Sequence, residues 1–210
     1  MILFDGCSWT YGSELENREK ERWSTLVANG EEHVNLSSPG KSNDGILRTT
    51  LEFCESNHVD TAVIQFTKHS RTEFRQEGAE KYITVMNGHI NPHRRHNSVY
   101  KEISEIYFKY FHNKELHLEN YSKNKFLLEN YFKQKNIKYF FCTIGGYTNW
   151  TRKDISKNPS SWYRMMDKES ILYIPELIGL SKIATVKGRH PTAEEHRIIA
   201  DHISLNIRNL

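Results

Sequence analysis

The residues of this chain best suited to chemistry lie in loops. Ser8 stands in the run Gly6-Cys7-Ser8-Trp9-Thr10-Tyr11-Gly12, directly after the apolar stretch MILFD, and His190 stands in Gly188-Arg189-His190-Pro191. A serine hydroxyl is a weak nucleophile at neutral pH unless a base stands beside it, and imidazole has the right pKa to take its proton and return it to a leaving group. A Gly-x-Ser turn alone is ordinary, and so is one histidine among 11; the combination with a terminal His-Pro ahead of a helix is the stronger signal. Two further loops carry unusual residues: Ser38-Pro39-Gly40-Lys41-Ser42-Asn43 and Thr67-Lys68-His69-Ser70-Arg71. Gly40 and Asn43 also suit any turn. Arg71 offers a clamp for an anionic substrate group or a partner for Glu73. Trp9 and Tyr11, beside Ser8, line a pocket or lock the turn.

These loops need a frame. Residues 1 to 5 read as a buried strand ending at Gly6. Trp23, Leu26 and Val27 suggest a short helix that Gly30 ends, and His33 to Leu36 is a second strand. Ile46, Leu47, Thr50, Leu51 and Cys54 recur with helical period after a loop over residues 37 to 45. Thr61 to Phe66 (TAVIQF) is the third strand. Residues 67 to 98 show no steady period and read as an insertion or lid. Apolar and aromatic residues between Val99 and Lys133 support two helices joined near Asn113 to Glu119, and Ile137 to Ile144 is the fourth strand. Residues 147 to 170 read as an irregular loop, and Ile171 to Leu180 as a strand or an apolar loop. In the closing helix Thr192 and Glu195 have capping-box spacing. Strands alternating with helices imply a three-layer α/β sandwich: one domain over residues 1 to 210, a parallel flavodoxin-like sheet covered by helices on both faces. In such a sheet ligands bind beyond the carboxyl ends of the strands, so the loops after strands one, two and three are expected to converge.

Taken together, GCSWTYG, SSPGKSN and the late His-Pro resemble the SGNH (GDSL-like) hydrolases, in particular a divergent subgroup with the GCSWTYG first block. The resemblance implies that Ser8 is the nucleophile and His190 the general base. It also implies that the backbone N–H groups of Ser8 and Gly40 hold the oxyanion. The family's third-block Asn is replaced by Thr67, whose hydroxyl can donate one bond, with Asn43 as a spatial substitute. The first-block Asp is Cys7, and Lys187 occupies the place of the aspartate three residues before the histidine. A dyad, or a triad completed by Asp154, Asp167 or Glu194, remains open, because triads are defined by geometry and not by chain order.

The chain has 210 residues, 26% charged and 12% aromatic, with 29 Lys and Arg against 26 Asp and Glu for a net charge of +3. A pI near 8.6 falls short of a strongly basic nucleic-acid binder. The mean hydropathy is −0.71, and no apolar run approaches the roughly 18 residues of a membrane span. No secretory leader is visible, and Cys7, Cys54 and Cys142 form no CxxC pair, so reduced thiols and a cytoplasmic location are expected. His89, His93 and His96 have Arg94 and Arg95 between them and no nearby Cys or carboxylate, so no metal is expected; the basic cluster is at most a contact for phosphate or an acidic glycan. No cofactor is implied. The expected substrate is a small-molecule or carbohydrate ester, with acetyl esters on carbohydrate implied by the resemblance. The rival readings are a catalytically impaired domain of the same fold that binds a glycan or protein, and a flavodoxin-like nucleotide binder.

Overall fold

The computed structural model describes residues 1–75, 77–78, 82–86, 98–144, 171–177, 190–208 and 210. Its frame is a five-stranded parallel sheet in the order β2-β1-β3-β6-β7. The strands are β1 (Ile2–Asp5), β2 (His33–Asn35), β3 (Thr61–Phe66), β6 (Lys138–Thr143) and β7 (Ile171–Tyr173). The chain runs from β1 to β2 on one side and then to β3 on the other. The topological switch, where crevices open in such sheets, therefore falls at β1 and β3.

Because strand residues alternate between faces, the sheet builds two cores. Leu3, Ala62, Ile64 and Phe141 pack with helices α4 (Asn43–Ser56) and α6 (Lys114–Lys135), through Ile46, Tyr121, Leu128 and Phe132. Phe4, Val63 and Cys142 face the other way. They meet Trp23 and Ala28 of α3 (Trp23–Ala28), Ile174 of α7 (Ile174–Leu177), and Ile199 and Ile203 of α8 (Ala193–Ile207). Short helices α1 (Ser8–Tyr11) and α2 (Arg18–Glu21) link β1 to α3. The three-layer α/β arrangement agrees with the reading of the sequence. No helix among the described residues is long and apolar enough to cross a membrane.

Local chemistry explains the boundaries. Ser42 Oγ accepts from Gly45 N at 3.0 Å to start α4, and Asn113 Oδ1 accepts from the N–H groups of Glu115 and Leu116 to start α6. The capping box expected at α8 is present, with Thr192 N donating to Glu195 Oε2 at 2.7 Å and Glu195 N to Thr192 Oγ1 at 3.3 Å.

Several elements differ from expectation. Asn29, at φ 46°, ends α3 in place of Gly30; asparagine tolerates the left-handed region. Within residues 67 to 98, read as aperiodic, β4 (Thr72–Arg75) and β5 (Tyr82–Val85) form an antiparallel hairpin. It is held to α4 by Arg48, which bonds Glu73 Oε1 at 3.3 Å and covers the Tyr82 ring at 3.7 Å. Helix α5 (Ser98–Ile106) runs into a π-helical turn (Tyr107–Phe111), and α6 begins at Lys114, so the joint lies at the early edge of the expected range. Of the stretch Ile171 to Leu180, read as a strand or an apolar loop, Ile171–Tyr173 is a strand, Ile174–Leu177 is instead the helix α7, and residues 178 to 180 lie outside the described residues.

Candidate active site

The loop after β1 is anchored from β3. Gln65, fully buried, accepts at its Oε1 from Thr10 Oγ1 at 2.9 Å and from the Cys7 backbone N and Sγ, each at 3.4 Å. Close packing requires glycine at position 6, where a Cβ would collide with Thr10 Oγ1. Ser8 begins α1 and is 7% exposed, and its Oγ lies 3.9 Å from Cys7 Sγ. Helix α1 stops after one turn because Gly12, at φ 81°, closes it with an N–H to Ser8 O at 3.1 Å.

Loop two joins loop one through Ser38 N, which donates to Gly6 O at 3.3 Å. Beneath this contact Lys41 Nζ donates to Asp5 Oδ1 at 2.6 Å and to Leu36 O at 2.9 Å. Asp5 also accepts from Gly6 N, Thr49 Oγ1 and Thr50 Oγ1, so this buried carboxylate is saturated by structural bonds. Loop three joins loop two: Asn43 Nδ2 donates to Thr67 O at 3.1 Å, and Thr67 N donates to Asn43 Oδ1 at 2.8 Å. Arg71 Nη1 donates to Lys41 O at 3.2 Å. The three loops therefore converge, as expected.

Several donors at this convergence are unspent. Among the described residues, no acceptor takes the backbone N–H of Ser8 or of Gly40. Thr67 Oγ1 is buried and lacks a partner of good geometry, although it is close enough to the Cys7 sulfur to favour a thiolate. Burial pushes the Cys7 thiol up. The Arg71 guanidinium, the Trp9 N–H, Thr67 and Gln65 together more than offset it, so the net displacement is downward.

His190 precedes α8 and is 22% exposed in its side chain. Helix α8 is fixed to α3 by the Ile199 and Ile203 packing and by His196 Nδ1, which accepts from Trp23 N at 3.1 Å. That docking folds the two ends of the chain together: His190 Nδ1 lies 2.9 Å from Oε1 of Glu14, a residue in the loop that follows α1. Glu14 was missed in the sequence. Nothing local distinguishes it from Glu16, and its contact depends on a residue at the far end of the chain.

The remaining candidates are placed as follows. Trp9 packs partly against the α3–α8 core, and the Tyr11 ring is covered by the Arg18 guanidinium at 4.1 Å. Arg71 does not pair with Glu73, which is taken by Arg48 and by Ser42 Oγ at 3.1 Å. Glu194 is exposed on the first turn of α8. Asp154, Asp167, Lys187, Gly188, Arg189, His89, His93 and His96 lie outside the described residues. Among the described residues no three of His, Cys, Asp or Glu are grouped to hold a metal ion.

A parallel sheet of this order, with its first, second and third loops gathered beyond the strand ends, is the flavodoxin-like α/β arrangement, and the fold is similar to that of solved esterases and G-D-S-L family proteins. Two solved structures share it over nearly their whole length. One is the psychrotrophic esterase EstA from Pseudoalteromonas sp., inhibited by monoethylphosphonate, with TM-score 0.56 and 16% identity over 99% of this chain and 96% of that one. The other is a putative lipolytic protein of the G-D-S-L family from Desulfitobacterium hafniense, with TM-score 0.56 and 11% identity over 97% of both chains. No family model and no curated protein matches the sequence.

Proposed function

We propose that this protein is a serine hydrolase of the SGNH type acting on small esters, with acetyl esters of carbohydrates as the substrate class suggested by the family resemblance. In this reading Ser8 Oγ attacks the ester carbonyl while His190 Nε2 takes its proton. The carbonyl electron pair moves onto oxygen, where the N–H groups of Ser8 and Gly40 and the Thr67 hydroxyl receive it. Collapse restores the carbonyl, breaks the ester C–O bond and passes the proton from His190 to the departing alkoxide. Water, deprotonated by His190, then releases the acyl group as a carboxylic acid and restores Ser8. Asn43 serves by holding Thr67. Trp9, Tyr11 and Arg71 flank the substrate, and the β4–β5 hairpin belongs to a lid.

The observation that carries this reading is the set of unspent donors where the three loops converge, above all the buried Thr67 hydroxyl, which has no hydrogen bond of good geometry and lies near the sulfur of Cys7, the residue before Ser8. Buried polar groups are normally paired, and a donor left open beside a candidate nucleophile suits an oxygen that becomes anionic during reaction. Such a donor is worth about 3 to 4 kcal/mol of transition-state stabilisation. Three free cysteines fit a reducing compartment, and we place the protein in the cytoplasm.

Incubation with p-nitrophenyl acetate and with a fluorophosphonate probe tests the proposal. Wild type turns over the ester and takes the label, Ser8→Ala loses both, and His190→Ala loses turnover with a thermal midpoint within a few degrees of wild type. A folded wild type inert to both reagents supports instead a binding domain in which Cys7 and Lys187 mark lost catalysis.

A further inference from the structure

We propose that Glu14 is the carboxylate that positions the His190 imidazole, a role that rests on the hydrolase reading above and completes it. Lys187 occupies the place where the resemblance leads one to expect an acid, and Asp5, the fully buried carboxylate nearest Ser8 in sequence, is already saturated by Lys41, Thr49, Thr50 and Gly6. Among the described residues, Glu14 is the acid that reaches the ring, with Oε1 2.9 Å from Nδ1.

Three features of the contact agree with this assignment. The first is the nitrogen chosen. A carboxylate on Nδ1 retains the proton there, which leaves the Nε2 lone pair for a serine hydroxyl, the arrangement a general base needs. The second is the state of that nitrogen. His190 Nδ1 is closed off from solvent without an aligned hydrogen bond, so Glu14 Oε1 stands at contact distance and needs only rotation of an exposed side chain to come into line. Apo sites commonly hold catalytic bonds in such loose form. The third is the backbone. Glu14 sits at φ 73°, a left-handed conformation that disfavours a glutamate. Its side chain is 64% exposed, and an ion pair so exposed stabilises a fold very little. The strained backbone is therefore not explained by stability, whereas aiming a carboxylate at a base explains it.

Because a left-handed site favours glycine, Glu14→Gly removes the carboxylate and relieves the backbone together. Its effect on turnover cannot be attributed to unfolding if the thermal midpoint holds or rises. We expect Glu14→Gly to lower kcat for p-nitrophenyl acetate by at least about tenfold, with KM within about twofold, since loss of a triad carboxylate reaches about 10⁴ where that group is buried. Glu14→Asp, which tolerates the same backbone region, recovers part of the loss. Nitrogen-15 spectra of the neutral His190 ring, assigned with His190→Asn, supply a readout independent of turnover. Wild type shows the Nδ1–H tautomer, and Glu14→Gly shifts the population toward Nε2–H.

An active wild type whose kcat and tautomer are both unchanged in Glu14→Gly overturns the role of Glu14 and leaves the hydrolase reading standing. A wild type inert to ester and probe overturns that reading. The spectra then decide Glu14 alone, an unchanged tautomer overturning the pairing and a shifted one supporting it.

Discussion

Asn43 and Thr67 clasp each other through a reciprocal pair of hydrogen bonds, Asn43 Nδ2 to Thr67 O at 3.1 Å and Thr67 N to Asn43 Oδ1 at 2.8 Å. Both residues are buried, and the clasp ties the start of α4 to the end of β3. Replacing Asn43 with alanine leaves a donor and an acceptor on Thr67 without partners, at about 1 to 3 kcal/mol for each buried group so exposed to loss. Asn43→Ala is expected to lower unfolding free energy in urea by about 2 kcal/mol or more and to reduce ester turnover as Thr67 drifts. A urea midpoint equal to wild type would show that the clasp contributes nothing.

The Asp5–Lys41 pair, at 2.6 Å with the two side chains 0% and 8% exposed, stands at the root of the same loops. Removing one partner of a buried pair strands the other charge, at about 3 to 5 kcal/mol, whereas neutralising the second partner as well removes that stranded charge. Lys41→Met is therefore expected to be strongly destabilised, and the double variant Asp5→Asn with Lys41→Met to recover much of the loss. Chemical denaturation of the three proteins checks this: a double variant no more stable than Lys41→Met refutes the coupling.

His196 introduces a pH dependence. Burial lowers its pKa to about 4, with the nearby His190 adding to the effect and Glu195 partly offsetting it. Between pH 6.5, the ordinary value, and about 4, the unfolded chain binds a proton that the folded chain refuses, so stability rises with pH across that window. The contribution is complete above pH 6.5 and is lost on acidification, and the gap corresponds to about 3 kcal/mol. His69, lowered to about 4 chiefly by burial, acts in the same direction. His196→Asn keeps an acceptor for Trp23 N and removes the titration. Its thermal midpoint is expected to fall less than that of wild type between pH 7.5 and 5, and parallel slopes would contradict this assignment.

What could be read in advance was what depends on neighbours in sequence. TAVIQF declares a buried strand by composition, and Thr192 with Glu195 declares a helix start by spacing, since both bonds lie within one turn. The β4–β5 hairpin could not be read so. Its strands are four residues long, TEFR carries alternating charge, and the hairpin depends on Arg48, far back in α4. The site divides in the same way. Ser8 and His190 stood out by their local motifs, while Gln65 and Glu14 acquire meaning only when Cys7 and His190 arrive beside them. Spacing alone allows Arg71 to pair with Glu73, but Glu73 faces α4 and is bound there by Arg48 and Ser42.

Thr67→Val separates stability from activity at the proposed oxyanion site. Valine matches the shape of threonine and lacks the hydroxyl, and Thr67 Oγ1 has no partner of good geometry to lose. Removing an unsatisfied buried hydroxyl is neutral or stabilising, by up to about 1 kcal/mol. A hydroxyl used only when the carbonyl oxygen becomes anionic acts on the transition state, so its loss lowers kcat and kcat/KM alike and leaves KM unchanged. Single donors of this type are worth about 10² to 10³ in rate. Thr67→Val is accordingly expected to unfold at or above the wild-type temperature while kcat for p-nitrophenyl acetate falls by at least about tenfold. An unchanged kcat would remove Thr67 from the oxyanion site, and a fall in midpoint matching the fall in rate would assign the hydroxyl to the fold.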